Sequence, residues 1–281
     1  MRVEVPLRWG DLDAQGHVNN GRYIDYVQDA RADFLYALNI YDLLHEGFAV
    51  VSNQIEYHAP VFFSQEPLGV DVTVIALEEE LVTLGCEIYQ EDRKVAIART
   101  VVSGWEVATS RRRALPDSAR EVFAGLLEPA EALKEIEWAD MDSHAKVSQM
   151  RVRWSDLDAY GHVNNAMIFD YVQEGRITFT VGPLHGMEGV PQPDNLWFLA
   201  RQDVNYHHPI IFRREPYLVR TGIAKMGRTS VTFSSQVDDP TTGTICARAA
   251  AVAVFADSKG RPTPLTDQLR HDLGVYHLGQ G

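Results

Sequence analysis

The sequence predicts an α+β protein: two copies of one domain in tandem, each an antiparallel sheet wrapped over a single long helix. Three observations predict it. First, a thirteen-residue word is written twice, Arg8-Trp-Gly-Asp-Leu-Asp-Ala-Gln-Gly-His-Val-Asn-Asn20 and Arg153-Trp-Ser-Asp-Leu-Asp-Ala-Tyr-Gly-His-Val-Asn-Asn165. Only Gly10/Ser155 and Gln15/Tyr160 differ, and the match runs on through Asp25/Asp170, Tyr26/Tyr171, Val27/Val172, Gln28/Gln173 and Arg31/Arg176 at a spacing of 145 (156 − 11). Second, the copies stay aligned downstream at a spacing of 149 (206 − 57): Tyr57-His58-Ala59-Pro60 answers Tyr206-His207-His208-Pro209, and Glu66-Pro67 answers Glu215-Pro216. Third, each copy shows the same alternation of periods, one helical stretch followed by a run of strands.

Each copy opens on a short strand, Arg2–Arg8 and Val147–Arg153, that leads into the polar word. A helix follows from about Tyr23 to Leu38, with Ile24, Val27, Ala30, Phe34 and Leu38 at three- and four-residue steps; Ile168, Tyr171, Val172, Gly175 and Phe179 repeat the pattern. Strands rich in Val, Ile and Thr come next: Phe48–Tyr57, Val70–Leu77, Leu81–Gln90 and Lys94–Val107, then Leu196–Tyr206, Tyr217–Lys225, Ser230–Asp238 and Thr244–Phe255. The step from 145 to 149 places a four-residue insertion in the Gly- and Pro-rich stretch Gly182 to Asn195. Pro116–Leu126 and the tail after Pro264 read as matching terminal helices. The domains are therefore expected at 1–127 and 147–281. The acidic, Ala-rich stretch 128–146, with Ala130–Trp138 at helical spacing, reads as a helical linker, preceded by the basic triplet Arg111–Arg113.

At 281 residues and 45% hydrophobic composition the chain is long enough for two ordinary cores. A net charge of −13 argues against a general nucleic-acid binder or a ligand of anionic membranes. Cys86 and Cys246 fall at unrelated places in the repeat, which fits a reducing compartment better than a disulfide framework. Met1-Arg2-Val3-Glu4-Val5 runs into the first copy without a charged-then-apolar leader, and no apolar run reaches the roughly 18–20 residues of a membrane span. The expectation is a cytoplasmic protein with no membrane partner.

Shared core packing accounts for repeated apolar positions; it gives no reason to repeat two carboxylates, a His and an Asn pair in a polar turn. The turn sits where a helix begins, and the first backbone N–H groups there have no internal partners and carry the positive end of the dipole. A carbonyl oxygen aimed at them is polarised, one good donor being worth about 2.7–4 kcal/mol of barrier. Gly16 and Gly161 permit a left-handed backbone and close approach of a ligand. Asp13 and Asp158 then supply a carboxylate a few residues upstream, which suits acyl transfer to water, either by attacking the carbonyl or by orienting and deprotonating water. Asp11 and Asp156 are expected instead to hold the turn. His17 and His162 either orient a side chain or water near the carboxylate or bond the backbone. Asn19, Asn20, Asn164 and Asn165 are expected to cap with their side chains and to act through their backbone amides.

The pattern D-x-D-x-x-G-H-V-N-N between a strand and a long helix resembles the hotdog-fold thioesterases of the 4-hydroxybenzoyl-CoA and long-chain acyl-CoA type, over nearly all of both copies. The resemblance implies that Asp13 and Asp158 are the catalytic carboxylates and that the amides of Asn20 and Asn165 polarise the thioester carbonyl. It implies acyl-CoA as the small-molecule substrate, no cofactor beyond that coenzyme A, and a pseudo-twofold pair of hotdog domains within one chain that self-associates further. The motif also resembles plant acyl-carrier-protein thioesterases. Those have an Asn two residues after the Asp and a carboxylate after the Tyr-containing strand; Gln15 or Tyr160, and Pro60 or Pro209, stand at those places here. These departures favour the acyl-CoA branch and a single-carboxylate mechanism. The acyl tunnel is expected to be lined by Tyr23, Tyr26 and Phe169, with His58, His207 and Tyr160 near it.

Other signals are weaker. His58, His207 and His208 lack the spacing of a zinc site, so no metal is expected. Lys225, Arg228 and Arg111–Arg113 either meet CoA phosphates or are solvated charge. Two further functions compete with hydrolysis. A hydratase or dehydratase would use His17 or His162 with Asp29 or Glu174, and a non-catalytic thioester-binding module would predict decay of the carboxylate in one copy, which neither shows.

Overall fold

The computed structural model describes residues 1–13, 15–180 and 195–279. It divides into two compact units, Met1–Lys134 and a second beginning at Glu135.

The first unit runs β1 (Arg2–Val5), α1 (Tyr23–Ala37), α2 (Leu43–Glu46), β2 (Phe48–Tyr57), β3 (Leu68–Leu77), β4 (Leu81–Gln90), β5 (Arg93–Glu106), β6 (Arg111–Arg113) and α3 (Asp117–Gly125). Its sheet has the order β1-β3-β4-β5-β2, every neighbour antiparallel, with β6 paired to the end of β5. Burial alternates along β3 because one face lies against α1. The helix buries Ile24, Val27, Ala30, Phe34 and Leu35 toward that face. Leu38 falls just outside, as the residue that ends the helix.

The second unit repeats the plan: β7 (Lys146–Met150), α4 (Met167–Thr180), β8 (Asn195–Tyr206), β9 (Tyr217–Met226), β10 (Ser230–Asp239), β11 (Thr244–Asp257) and α5 (Asp267–Gly274). The order is β7-β9-β10-β11-β8, again antiparallel. Phe179 of α4 packs with Ile223, Phe233 and Phe255 of the sheet and with Leu269 and Leu273 of α5. Each unit is thus the α+β domain expected, one sheet around one long helix, built twice. The insertion expected at 182–195 lies, Asn195 apart, outside the described residues.

Helix-to-sheet spacing is set differently in the two units. Ala30 is fully buried in α1, whereas α4 has Gly175 at that position. A Cβ on Gly175 would stand 2.7 Å from Thr221 Oγ1 and 2.9 Å from Val219 Cγ1 of β9. Ala is the better helix former by about 1 kcal/mol, but overpacking against stiff β-branched side chains costs about 1–3 kcal/mol. Gly175→Ala is therefore expected to lower the midpoint of thermal or urea unfolding, and a raised midpoint would show that β9 yields.

One expectation needs correction. The stretch 128–146 is not a helical linker: it has no helix, and its last residue already starts β7. Glu128 precedes Pro129, which disfavours helical backbone, and a nine-residue helical pattern is marginal on its own. Sheet partners outcompete it. Leu127 bridges Val74 in parallel and the Glu128 N–H donates to Val74 O at 2.8 Å. Farther along, Ala139 N–H donates to Ser234 Oγ at 3.0 Å, and Glu137 and Asp140 pair with Lys225 and Arg248 at 2.8 and 3.2 Å. The basic triplet, read as CoA-phosphate contact or solvated charge, is exposed at Arg111 and Arg112 and forms the edge strand β6. Three arginines suit an edge, since their charge discourages a further strand from adding there.

Candidate active site

In each unit the repeated word folds into the same small hairpin. A single 3-10 turn (Trp9–Asp11, Trp154–Asp156) ends β1 or β7's approach, and then Leu12 bridges Val18 as Leu157 bridges Val163. The Asp13 N–H donates to His17 O at 2.8 Å and the Gly16 N–H to Asp13 O at 3.1 Å; Asp158, His162 and Gly161 repeat this at 2.7 and 3.1 Å. Gly16 and Gly161 hold φ at +82° and +78°, a left-handed conformation that costs other residues about 1–2 kcal/mol. The hairpin is docked by Val18 N–H to Val61 O (2.8 Å) and Val163 N–H to Ile210 O (2.7 Å), both acceptors lying just past the Tyr-x-x-Pro segment.

Asp11 and Asp156 hold this turn in place. Asp11 Oδ2 accepts the Tyr26 hydroxyl at 2.7 Å; Asp156 Oδ2 accepts the Tyr171 hydroxyl at 2.7 Å and the Arg153 N–H at 2.8 Å. Burial, reinforced by the neighbouring carboxylate, holds both phenols protonated far above their ordinary range. Tyr26 is therefore a strut for the hairpin.

Asp13 and Asp158 point their carboxylates into the turn with one oxygen on its backbone: Asp13 Oδ1 accepts the Gln15 N–H at 2.8 Å, and Asp158 Oδ1 accepts the Tyr160 and His162 N–H groups at 2.8 and 3.1 Å. The copies then differ. Asp13 Oδ2 faces His17 Nδ1 at 3.2 Å, and the other ring nitrogen of His17 meets Gln15 Oε1 at 3.1 Å. In the second unit the contact to the carboxylate comes from the His162 backbone, and Tyr160 replaces Gln15. Both Asp13 and His17 keep part of their side chains open to solvent.

The Asn residues divide by position. Asn19 and Asn164 cap, each Oδ1 accepting the N–H two residues on, at 2.8 and 2.9 Å. The carbonyls of Asn20 and Asn165 accept the Tyr57 and Tyr206 hydroxyls, both at 2.9 Å, which ties the end of β2 or β8 to the helix start. With Gly21 N–H taken by Asn19 Oδ1 and Arg22 N–H by Asn19 O, the Asn20 N–H is a first-turn donor with no acceptor among the described residues.

Tyr23 is 1% exposed, its hydroxyl bonded to Ala59 O and Val61 N, and Phe169 is 1% exposed; both are packed core. His58 turns its ring to Glu56 at 3.0 Å, and His207 is exposed with its N–H on Cys246 O. Tyr160 reaches Asp158 through its backbone. Asp29, the acid of the hydratase reading, lies 3.9 Å from Arg8. Burial pushes the Cys86 thiol up to about 12 and the Cys246 thiol to about 11, so neither supplies a thiolate nucleophile. Among the described residues no three His, Cys, Asp or Glu side chains gather as metal ligands, and no helix is long and apolar enough to cross a membrane.

What the motif reading missed is the apolar wall beside the carboxylate. Trp9, Gly10, Leu12, Asp13, Gly16, Phe62 and Phe63 enclose a pocket of about 640 Å³ open to solvent. The signal was present: the Trp belongs to the duplicated word, and Val61-Phe62-Phe63 recurs as Ile210-Ile211-Phe212.

A family model described as the thioesterase-like superfamily matches residues 7–123 and 152–273, one stretch in each unit. Three solved structures share the fold. An oleoyl thioesterase (putative) from Lactobacillus plantarum has 16% identity and a TM-score of 0.73, over 92% of this chain and 96% of its own. An acyl-ACP thioesterase from Bacteroides thetaiotaomicron has 13% identity and a TM-score of 0.68, over 90% and 97%. A 12:0-ACP thioesterase from Umbellularia californica has 12% identity and a TM-score of 0.70, over 92% and 97%. No protein of curated function matches the sequence.

Proposed function

The chain belongs to the thioesterase-like superfamily, in both of its repeats, and on that premise we propose that it hydrolyses acyl-CoA thioesters to free acid and CoA at two sites built around Asp13 and Asp158. The carrying observation is the carboxylate itself. In both units an Asp is braced on backbone amides in a hairpin that abuts the helix start, and in the first it opens into an apolar pocket.

The thioester carbonyl oxygen takes the first-turn N–H of Asn20 or of its counterpart Asn165. Asp13 or Asp158 removes a proton from water, and the hydroxide forms a C–O bond to the carbonyl carbon as its π electrons move to oxygen. When the tetrahedral oxyanion collapses, the C–S bond breaks and the thiolate leaves, taking the proton from the carboxyl group. Acid and thiol result, with water the only other reactant and coenzyme A entering as part of the substrate. His17, seated between Asp13 and Gln15, orients the carboxylate.

Thiol release from a panel of aliphatic and aryl acyl-CoAs, with free acid measured in parallel, tests the reading. Equal thiol and acid from at least one CoA thioester is expected. Hydrated or dehydrated acyl-CoA without thiol would replace it with the hydratase reading. Turnover of carrier-protein thioesters alone would keep the reaction and change the substrate class.

A further inference from the structure

Each repeat leaves the same large aromatic pair in water. Trp9 is 72% and Trp154 74% exposed, and they meet Phe63 and Phe212 edge-to-face with centroids 5.4 and 5.3 Å apart. Phe62 and Ile211 stand exposed beside them. Scattered apolar side chains on a surface need no explanation, but a patterned cluster made twice does. The turns that display these tryptophans, Trp9–Asp11 and Trp154–Asp156, lead directly into the hairpins of Asp13 and Asp158. In the first unit the cluster shares one pocket with Asp13, whose carboxylate is the single charged side chain among the lining residues.

Building on the hydrolase reading, we infer that the Trp9–Phe63 and Trp154–Phe212 pairs grip the carrier arm of the thioester, the amide-bearing pantetheine chain on the thiol side of the scissile bond. A hydrocarbon tail gains most from full enclosure, and this pocket is open to water. An arm with planar amides fits an open aromatic shelf. Its flat faces and methylenes cover the rings while its N–H and C=O edges stay hydrated, avoiding about 1–3 kcal/mol for each group left unpaired. The pair is also identical in the two units where the flanking residue is Phe62 in one and Ile211 in the other. The arm is likewise common to every substrate, whether CoA or a carrier protein bears it, while acyl groups vary.

The test is the double variant Trp9→Ala/Trp154→Ala, with one acyl group presented on CoA, on an acyl carrier protein and on N-acetylcysteamine, which truncates the arm. KM for the CoA thioester is expected to rise about tenfold or more with little change in kcat, since a buried aromatic anchor is typically worth that much in binding. The ratio of kcat/KM for the CoA thioester to that for the cysteamine thioester should fall by the same factor, and Trp→Phe should recover part of it. An equal fall with the carrier-protein thioester also supports the shared arm, and the wild-type preference tells which bearer is used. Equal losses on the long and truncated thioesters, or an unchanged KM, would overturn the inference. Quenching of tryptophan fluorescence by free CoA, lost in the double variant, reads the arm site without turnover. Such quenching in a protein that hydrolyses no thioester sinks the hydrolase reading alone.

Discussion

Asp13→Asn and Asp158→Asn are each expected to remove the turnover of one site, and the double change to reduce thioester hydrolysis to background. Loss of a general base typically costs at least about 10²–10⁴ in rate, so little should remain where both carboxylates are gone. The fold should survive. An Asn Oδ1 can still accept the Gln15 N–H in the first unit and the Tyr160 and His162 N–H groups in the second, and no buried partner is stranded. The two single variants need not be equal. Asp13 has an imidazole at 3.2 Å, whereas Asp158 Oδ1 takes two backbone donors. Steady-state kinetics with circular dichroism on the same samples decides the matter. Wild-type rates in a folded double variant would remove both residues from the mechanism; one single variant that abolishes activity would leave the mechanism and reduce the sites to one.

Asp156→Ala is expected to be the most destabilising change in the word, by about 3–4 kcal/mol. Asp156 is 4% exposed and accepts the Tyr171 hydroxyl and the Arg153 N–H, and Tyr171 is itself 3% exposed. Truncation strands these donors, at about 1–3 kcal/mol each, and opens a space behind the hairpin. Against a typical stability of about 5–15 kcal/mol this is a large fraction. Asp11→Ala should cost less, because Asp11 is more exposed and water can replace it at the Tyr26 hydroxyl. Urea unfolding of both variants measures the difference. An Asp156→Ala protein as stable as wild type would show that the hairpin is held from elsewhere, chiefly by Val163 on Ile210.

Much of the molecule was legible in the chain. The strand Phe48–Tyr57 and the strand Leu81–Gln90 have the ends their residue pattern predicts, and the long helices begin three and two residues past the Asn pair. The roles of Asp11 and Asp156 as turn holders were also legible, since a carboxylate inside so short a polar word can bond its own turn. The linker was misread because Ala130–Trp138 has helical spacing but no helical environment. Its backbone and side chains find partners at Val74, Ser234, Lys225 and Arg248, none of them near it in the chain. That the triplet Arg111–Arg113 forms a strand was not legible for a related reason, because an edge strand is defined by the neighbour it pairs with and not by its own residues.

By itself the sequence determined that there are two copies of one α+β domain, where the helices and most strands run, and which two carboxylates occupy equivalent turns. These are properties of period and repetition, which a chain carries without folding. Only the tertiary structure decided which aromatic side chains are core and which stand in water. Tyr23, Tyr26 and Trp9 lie within one stretch of chain, yet Tyr23 and Tyr26 are sealed by Ala59, Val61 and Asp11 while Trp9 stands in water against Phe63. The reason is that exposure is not a property of a residue but of what the rest of the chain packs over it.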